Sequence, residues 1–493
     1  MNIRTVQLPL LICFFSLACG GMAVSGEETP ADLLRLADAA FAEERYLAAG
    51  ELYLNASAAF AAAGDDEMRR DAFRKAKRAG WILGEFPLNR TSAGETIASE
   101  IPVLTPQERD SFLEPGESIQ IRSDGETWYY EGIARNIRYH NLTLIRDSLR
   151  SGGVSPFYDQ ILPLIKTEAW KPHTFIATGT EAIPRSALPE SGLLQVWIPL
   201  PVETESQTNI TVLSVEPAEY VVSGPVTTGN LGEVYLEIPL GEMEDEWVNI
   251  SVKVAFTTSP RISAIDPDTI GAYDTGSDLY QRYTASQPSI HVSPEIEELA
   301  SRIVGDETNP GLKAARIYEY IISTIPYSNV PHSYLAAAAY PESDFVHETG
   351  FGDCGTQSAY FAALCRAEGI PARACGGYQI VPGYAGTHFW AEYYLPGYGW
   401  QPVDVTVAEA GDWAFNATEE DRTMYKEFFL GNLDPYRCTL QTDMDENFSE
   451  EPGPDILMTL VRQNPAVICT TADSDIEMLG MLSWSLTFED ITL

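Results

Sequence analysis

Apolar and polar positions change period several times along this chain, and each change predicts a different architecture. Between Ala31 and Gly80 the period is helical: Leu33, Leu36, Ala37, Ala40 and Phe41 form one stripe, and Tyr46, Ala49, Tyr53, Ala56 and Phe60 the next. Gly64-Asp65-Asp66 interrupts it before a basic helical run from Glu67 to Ala79. Ser118–Arg122 and Thr127–Tyr130 alternate about Asp124-Gly125, which predicts a hairpin. Short helices are expected at 146–151 and 158–166. From His173 to Ile262 the period is two, with strands at 194–200, 234–238 and 248–254 separated by turn residues, the pattern of a small antiparallel sandwich. Amphipathic helices follow at 293–304 and 310–323, then a helix at 355–367 and strands carrying residues 388 and 404 across a Pro396-Gly397-Tyr398-Gly399 turn.

These changes predict a multidomain α+β chain: a leader over 1–25, an N-terminal helical hairpin over 26–90, a mixed connector over 91–172 and a β-sandwich-like domain over 173–265. An α+β core over 266–410 and an acidic extension over 411–493, packing on that core, complete it. The leader has Arg4, an apolar run from Leu8 to Ala18 and a small-x-small site at Ala23-Val24-Ser25, the signature of an export signal too short to span a bilayer. The alternative is lipidation at Cys19, which would tie the chain to the cell envelope; Ser16 stands where such signals carry Leu. No later run of eighteen apolar residues predicts a membrane span.

Charge narrows the partners. The chain has 71 acids against 31 Lys and Arg, a net −40, which excludes duplex nucleic acid as the default ligand. Only seven of the cations are Lys. Seven Asn-x-Ser/Thr sequons, at Asn55, Asn89, Asn141, Asn209, Asn249, Asn416 and Asn447, are consistent with an exported glycoprotein. The six histidines form no metal-spaced pair, so neither metal nor cofactor is expected. Asp443-Met444-Asp445 imitates a calcium loop, but Phe448 and Pro454 occupy positions that need Gly and Glu. Past the leader, cysteines stand at 354, 365, 375, 438 and 469; with Cys354 free, Cys438 and Cys469 are available to pair.

Cys354 is the informative one. It opens a helix, where first-turn N–H groups and the dipole favour a thiolate. His388 and Asp404 follow 34 and 16 residues on, and the hairpin register puts them on one face about one pair apart. A thiol nucleophile, an imidazole base and an orienting carboxylate are the parts of an acyl-transfer triad. Asp353 pulls the other way: a carboxylate beside a thiol raises its pKa, unless that carboxylate is spent capping the helix.

Six pieces carry a family resemblance: Ile325-Pro326-Tyr327, Gly352-Asp353-Cys354, Arg366–Arg373, Gly376-Gly377-Tyr378, His388-Phe389-Trp390-Ala391-Glu392 and Gly399–Asp404. Residues from about 292 to 406 resemble the transglutaminase-like core, related to papain-like thiol enzymes. The resemblance implies Cys354 as nucleophile, His388 as base, Asp404 as its orienting carboxylate and Tyr327 as the oxyanion candidate. Phe389 departs from the Ala common in the family and is expected to face outward. The resemblance further implies an exported hydrolase of amide or peptide bonds acting on a protein or peptide, with protein cross-linking as the alternative fate. The period of the first helices is similar to a tetratricopeptide unit, although a helical cap docked on the rest is the simpler expectation. A non-catalytic binding scaffold is the rival class.

Overall fold

The computed structural model describes residues 28–492 apart from 153–154, 244, 459–462, 470 and 472–473; the expected leader lies outside the described residues. The N-terminal period yields three helices rather than a hairpin: Pro30–Ala42, Tyr46–Ala63 and Asp66–Glu85. The first starts at a Thr29–Asp32 capping box, and the second ends at left-handed Gly64. The unforeseen break between them falls at Glu44, whose φ of 58° no Gly or Pro announces. Small residues face one another in their shared core, with Ala37, Ala40, Ala49, Ala56 and Ala72 packed around Tyr53 and Phe60. The trio is docked on the rest of the chain: Lys77 pairs with buried Glu477 at 2.8 Å, and Arg78 Nε donates to the Ala337 carbonyl at 2.6 Å.

The expected hairpin forms from strands Gln120–Ser123 and Glu126–Tyr129, joined through Asp124 and Gly125, both at positive φ. Helices Leu142–Gly152 and Pro156–Thr167 follow.

Two four-stranded antiparallel sheets make the β-sandwich. One orders its strands 466–469, 193–199, 233–239, 221–226; the other 484–490, 173–184, 247–258, 207–216. Val196, Ile198, Leu236, Val252, Val254 and Val467 share its interior, as alternating inward positions must. The α+β core is a third sheet ordered 399–403, 386–395, 372–379, 437–441, with the helix Cys354–Ala367 packed on its central strands.

The segment after 410, expected to lie on the core as an extension, instead supplies a strand to each of these three sheets. Strand 437–441 approaches so closely that a Cβ on Gly377 would sit 1.9 Å from the Cys438 carbonyl oxygen, which is why that position is glycine. Cys438 and Cys469 are both free, contrary to the expected disulfide: one lies in the core sheet and the other in the sandwich.

Glu181 is fully buried in the sandwich, where no cation pairs with it among the described residues. Burial raises its carboxyl to about 8, against a small lowering by Ser483. A raised folded-state pKa favours the native state while the group is protonated, so this contribution is full below the ordinary value of 4.5 and is lost as pH rises through about 8. Urea denaturation between pH 5 and 9 should show stability falling by more than about 1 kcal/mol in the wild-type and by less in Glu181→Gln.

Candidate functional site

Two of the three candidate residues, Cys354 and Asp404, stand at helix starts, and His388 lies within a strand. Cys354 is the first residue of its helix. Asp353 is the N-cap: its Oδ1 accepts from the Thr356 N–H at 3.0 Å, while the Asp353 N–H donates back to Thr356 Oγ1 at 2.9 Å. The other oxygen of Asp353 faces His332 Nε2 at 2.6 Å. Burial alone would raise the Asp353 carboxyl, but the charge and hydrogen bond of His332 outweigh it and hold it below the usual carboxylate range.

His388 is buried on strand Gly386–Leu395, and its Nε2 lies 2.8 Å from Asp404 Oδ2. Its carbonyl accepts from Gln463 Nε2 at 2.9 Å, which pins this stretch of backbone from a distant loop. In the adjoining register Ala391 faces Val403, so His388 and Asp404 fall on one side of the hairpin. Asp404 is not itself in the strand, as the pattern suggested. It stands one residue past Gly399–Val403 and caps the helix Val405–Trp413, accepting from the Val407 N–H at 3.0 Å. Its extended φ and ψ, −124° and 90°, are those of an N-cap, and in sequence an N-cap reads as strand.

The sequence did not reveal Arg437. Its guanidinium is buried over the Trp390 ring, binds the same Asp404 oxygen that faces His388, and pairs with Asp434 at 2.6 Å. Asp404 is fully buried, which on its own would raise its carboxyl; His388 and Arg437 reverse this and hold it far below the carboxylate range. Arg437 lies in the expected acidic extension, where no spacing relates it to Cys354 or His388.

The thiol departs from expectation. Burial first, and the Asp353 charge second, push Cys354 well above the ordinary thiol range; the N–H groups of Phe389 and Gly355 act on the sulfur in the opposite direction without prevailing. The resting group is therefore a thiol, and the helix start does not make it a thiolate. The influence of the Phe389 N–H also places the sulfur beside the backbone next to His388. The Phe389 ring does not face outward: it is 3% exposed, and lies over Gly376, where a Cβ would meet it at 2.7 Å. A missing side chain on one strand thus accommodates the larger residue on the next.

Tyr327 bridges Gly352 through the backbone and stacks edge-on against Tyr139 and Trp413, at 4.8 and 5.5 Å between centroids. Burial first, and then the nearness of the Cys354 sulfur, raises its hydroxyl, so it belongs to the wall around the sulfur. Among the described residues no three His, Cys, Asp or Glu side chains gather in a metal-binding group.

Residues 297–405, which hold Cys354, His388 and Asp404, match the model of the transglutaminase-like superfamily. The chain carries a transglutaminase-like domain. An uncharacterized protein of Haemophilus influenzae is 25% identical over 264 residues, 47% of this chain and 68% of its own length. A protein-glutamine gamma-glutamyltransferase of Pseudomonas aeruginosa is 29% identical over 157 residues, which span 30% of this chain and 21% of that enzyme. Among solved structures, a candidate cysteine protease from Cytophaga hutchinsonii aligns with a TM-score of 0.37 at 14% identity, covering 66% of this chain and 92% of its own. The periplasmic domain of TgpA from Pseudomonas aeruginosa aligns at 0.24 and 17% identity, covering 48% and 96%. His332 lies within the matched stretch and Arg437 beyond it.

Arg437→Met would leave Asp404 and Asp434 buried without their cation. Chemical denaturation should register a loss of roughly 3–5 kcal/mol, as for a broken buried ion pair.

Proposed function

We propose that the protein is a thiol acyl-transfer enzyme that hydrolyses amide or peptide bonds through Cys354, His388 and Asp404. The observation that carries this reading is the 2.8 Å contact between His388 Nε2 and Asp404 on the strand that also meets the Cys354 sulfur through Phe389. With Nε2 committed to Asp404, the other ring nitrogen, Nδ1, is left to take the thiol proton. Because the resting sulfur is protonated, His388 acts as a general base as the substrate carbonyl arrives, rather than as half of a standing ion pair. The new S–C bond forms as the proton moves to Nδ1. Collapse of the tetrahedral intermediate expels the amine, which leaves with that proton, and an acyl-enzyme remains. Water, deprotonated by the same nitrogen, then releases the acid and restores the thiol.

Asp404 holds the ring and stabilises its charged form throughout. The Cys354 N–H and the Tyr327 hydroxyl are the proposed donors to the oxyanion. Transfer to an amine instead of water would make the same acyl-enzyme a cross-linker, as the name of the Pseudomonas relative indicates for that protein. The substrate is a protein or peptide. The export signal expected over residues 1–25 supports a reaction outside the cytoplasm, and no helix among the described residues is long and apolar enough to cross a membrane.

Incubation with an activated acyl ester tests the proposal by intact mass. A single acyl adduct should map to Cys354, vanish in Cys354→Ala, and form more slowly by about 10³-fold in His388→Ala and less severely in Asp404→Asn. Partition of the adduct between water and added amine separates hydrolysis from cross-linking. No adduct in the folded wild-type protein, or an adduct at another residue, would favour the binding-scaffold class instead.

A further inference from the structure

We propose that His332 is a positioning residue for the acyl-transfer site, neutralising the carboxylate that caps the Cys354 helix, and that the N-terminal helices hold it in place. This rests on the thiol-enzyme reading above and asks what keeps that thiol usable.

The problem originates in the helix start. To present Cys354 at the first helical position the chain uses Asp353 as cap, and this sets a negative charge one residue from the sulfur. Both carboxylate oxygens of Asp353 are engaged: Oδ1 by Thr356, Oδ2 by His332 at 2.6 Å. The cap therefore cannot turn away, and its field can only be cancelled. His332 is the cation placed to do so. Three carboxylates face it from three elements: Asp353 at the Cys354 helix, Glu342 on the helix Glu342–Thr349, and Glu85 at the end of the third N-terminal helix. Burial lowers the imidazole, but these acids, Asp353 first, outweigh it and raise it to about 9. It is thus charged across the neutral range and loses its proton as pH rises through about 9. The sulfur itself faces Asp353 and Asp404, the N–H groups of Phe389 and Gly355, and the hydroxyls of Tyr327 and Tyr384.

His332 opens the short helix His332–Ala338, and the N-terminal helix Asp66–Glu85 grips that helix at both ends. Glu85 Oε1 accepts from the Ser333 N–H at 3.0 Å, and Arg78 donates to the Ala337 carbonyl. Between them Phe86 meets Tyr334 edge-on at 5.3 Å, and Trp81 and Ile82 pack with Ala337. The N-terminal helices thereby reach the nucleophile through a short path: Glu85 and Arg78, the His332 helix, Asp353, Cys354.

The test is the pH profile of Cys354 alkylation by iodoacetamide in the full-length protein, with the site read by peptide mass. H332Q should slow the neutral-pH rate by about tenfold and shift the profile about one pH unit upward. The double variant H332Q/D353N should recover the wild-type rate, because Asn caps a helix as well as Asp but carries no charge. R78M and E85A, which leave His332 in place, should give a smaller shift of the same sign, again removed by D353N; they also carry the test if H332Q does not fold. An unchanged profile in H332Q, or a slowed one that D353N does not rescue, would overturn the inference. No shift in R78M and E85A would overturn the part given to the N-terminal helices. Failure of the underlying reading looks different: Cys354 would label no faster than Cys365, or H388A would leave its rate unchanged, whatever happens at His332.

Discussion

A carboxylate with no exposed surface has to be satisfied from within, and Asp404 sets that requirement for the transglutaminase-like part of the molecule. Its oxygens are claimed by His388 from one strand, by the Val407 N–H from the helix it caps, and by Arg437 from a strand 33 residues further on. Removing the charge from water is costly, and the cost is offset only while all three are in place. The packed unit around Asp404 therefore cannot end where the helix after it ends. The segment that brings Arg437 must close the sheet beside Gly377, and the same segment goes on to complete both sheets of the sandwich. One buried charge thus ties together the candidate site, the sheet edge and the neighbouring domain.

The opposite side of the site obeys a different constraint. A helix start supplies N–H groups to the sulfur, yet the residue that caps it is negative and the sulfur is half-buried. Desolvation wins over the helix terminus, so the thiol stays protonated at rest. Under the proposed reaction the centre depends on a base whose orientation is fixed, which is the task proposed for the Asp404 carboxylate. Acid-side stability follows from the same contact: the depressed Asp404 carboxyl favours the folded state above its ordinary value of 3.8, and the contribution is lost as pH falls below it.

Local patterns carried much of this. The helical and alternating periods placed the Cys354 helix, the strand of His388, the sandwich strands and the Asp124-Gly125 hairpin, because each is written in spacing and turn residues within a short window. What escaped was non-local or lacked a side-chain signal. The turn at Glu44 uses a left-handed residue that is neither Gly nor Asn. Arg437, His332 and Gln463 act across long separations, and no periodicity links them to Cys354 or His388. Asp404 resembled a strand residue because an N-cap is extended, and Phe389 looked outward because the empty space over Gly376 belongs to the adjacent strand. Cysteine counting predicted a pair that two different sheets keep apart.

The central claim is that the Cys354 sulfur and the His388 ring face each other across the hairpin. A bifunctional alkylating agent of one short span, such as 1,3-dibromoacetone, measures this directly. The account predicts a single intramolecular bridge joining the Cys354 and His388 peptides through Nδ1, absent from Cys354→Ala and formed with no other histidine. Alkylation of Cys354 that closes onto a different residue, or never closes, would contradict it.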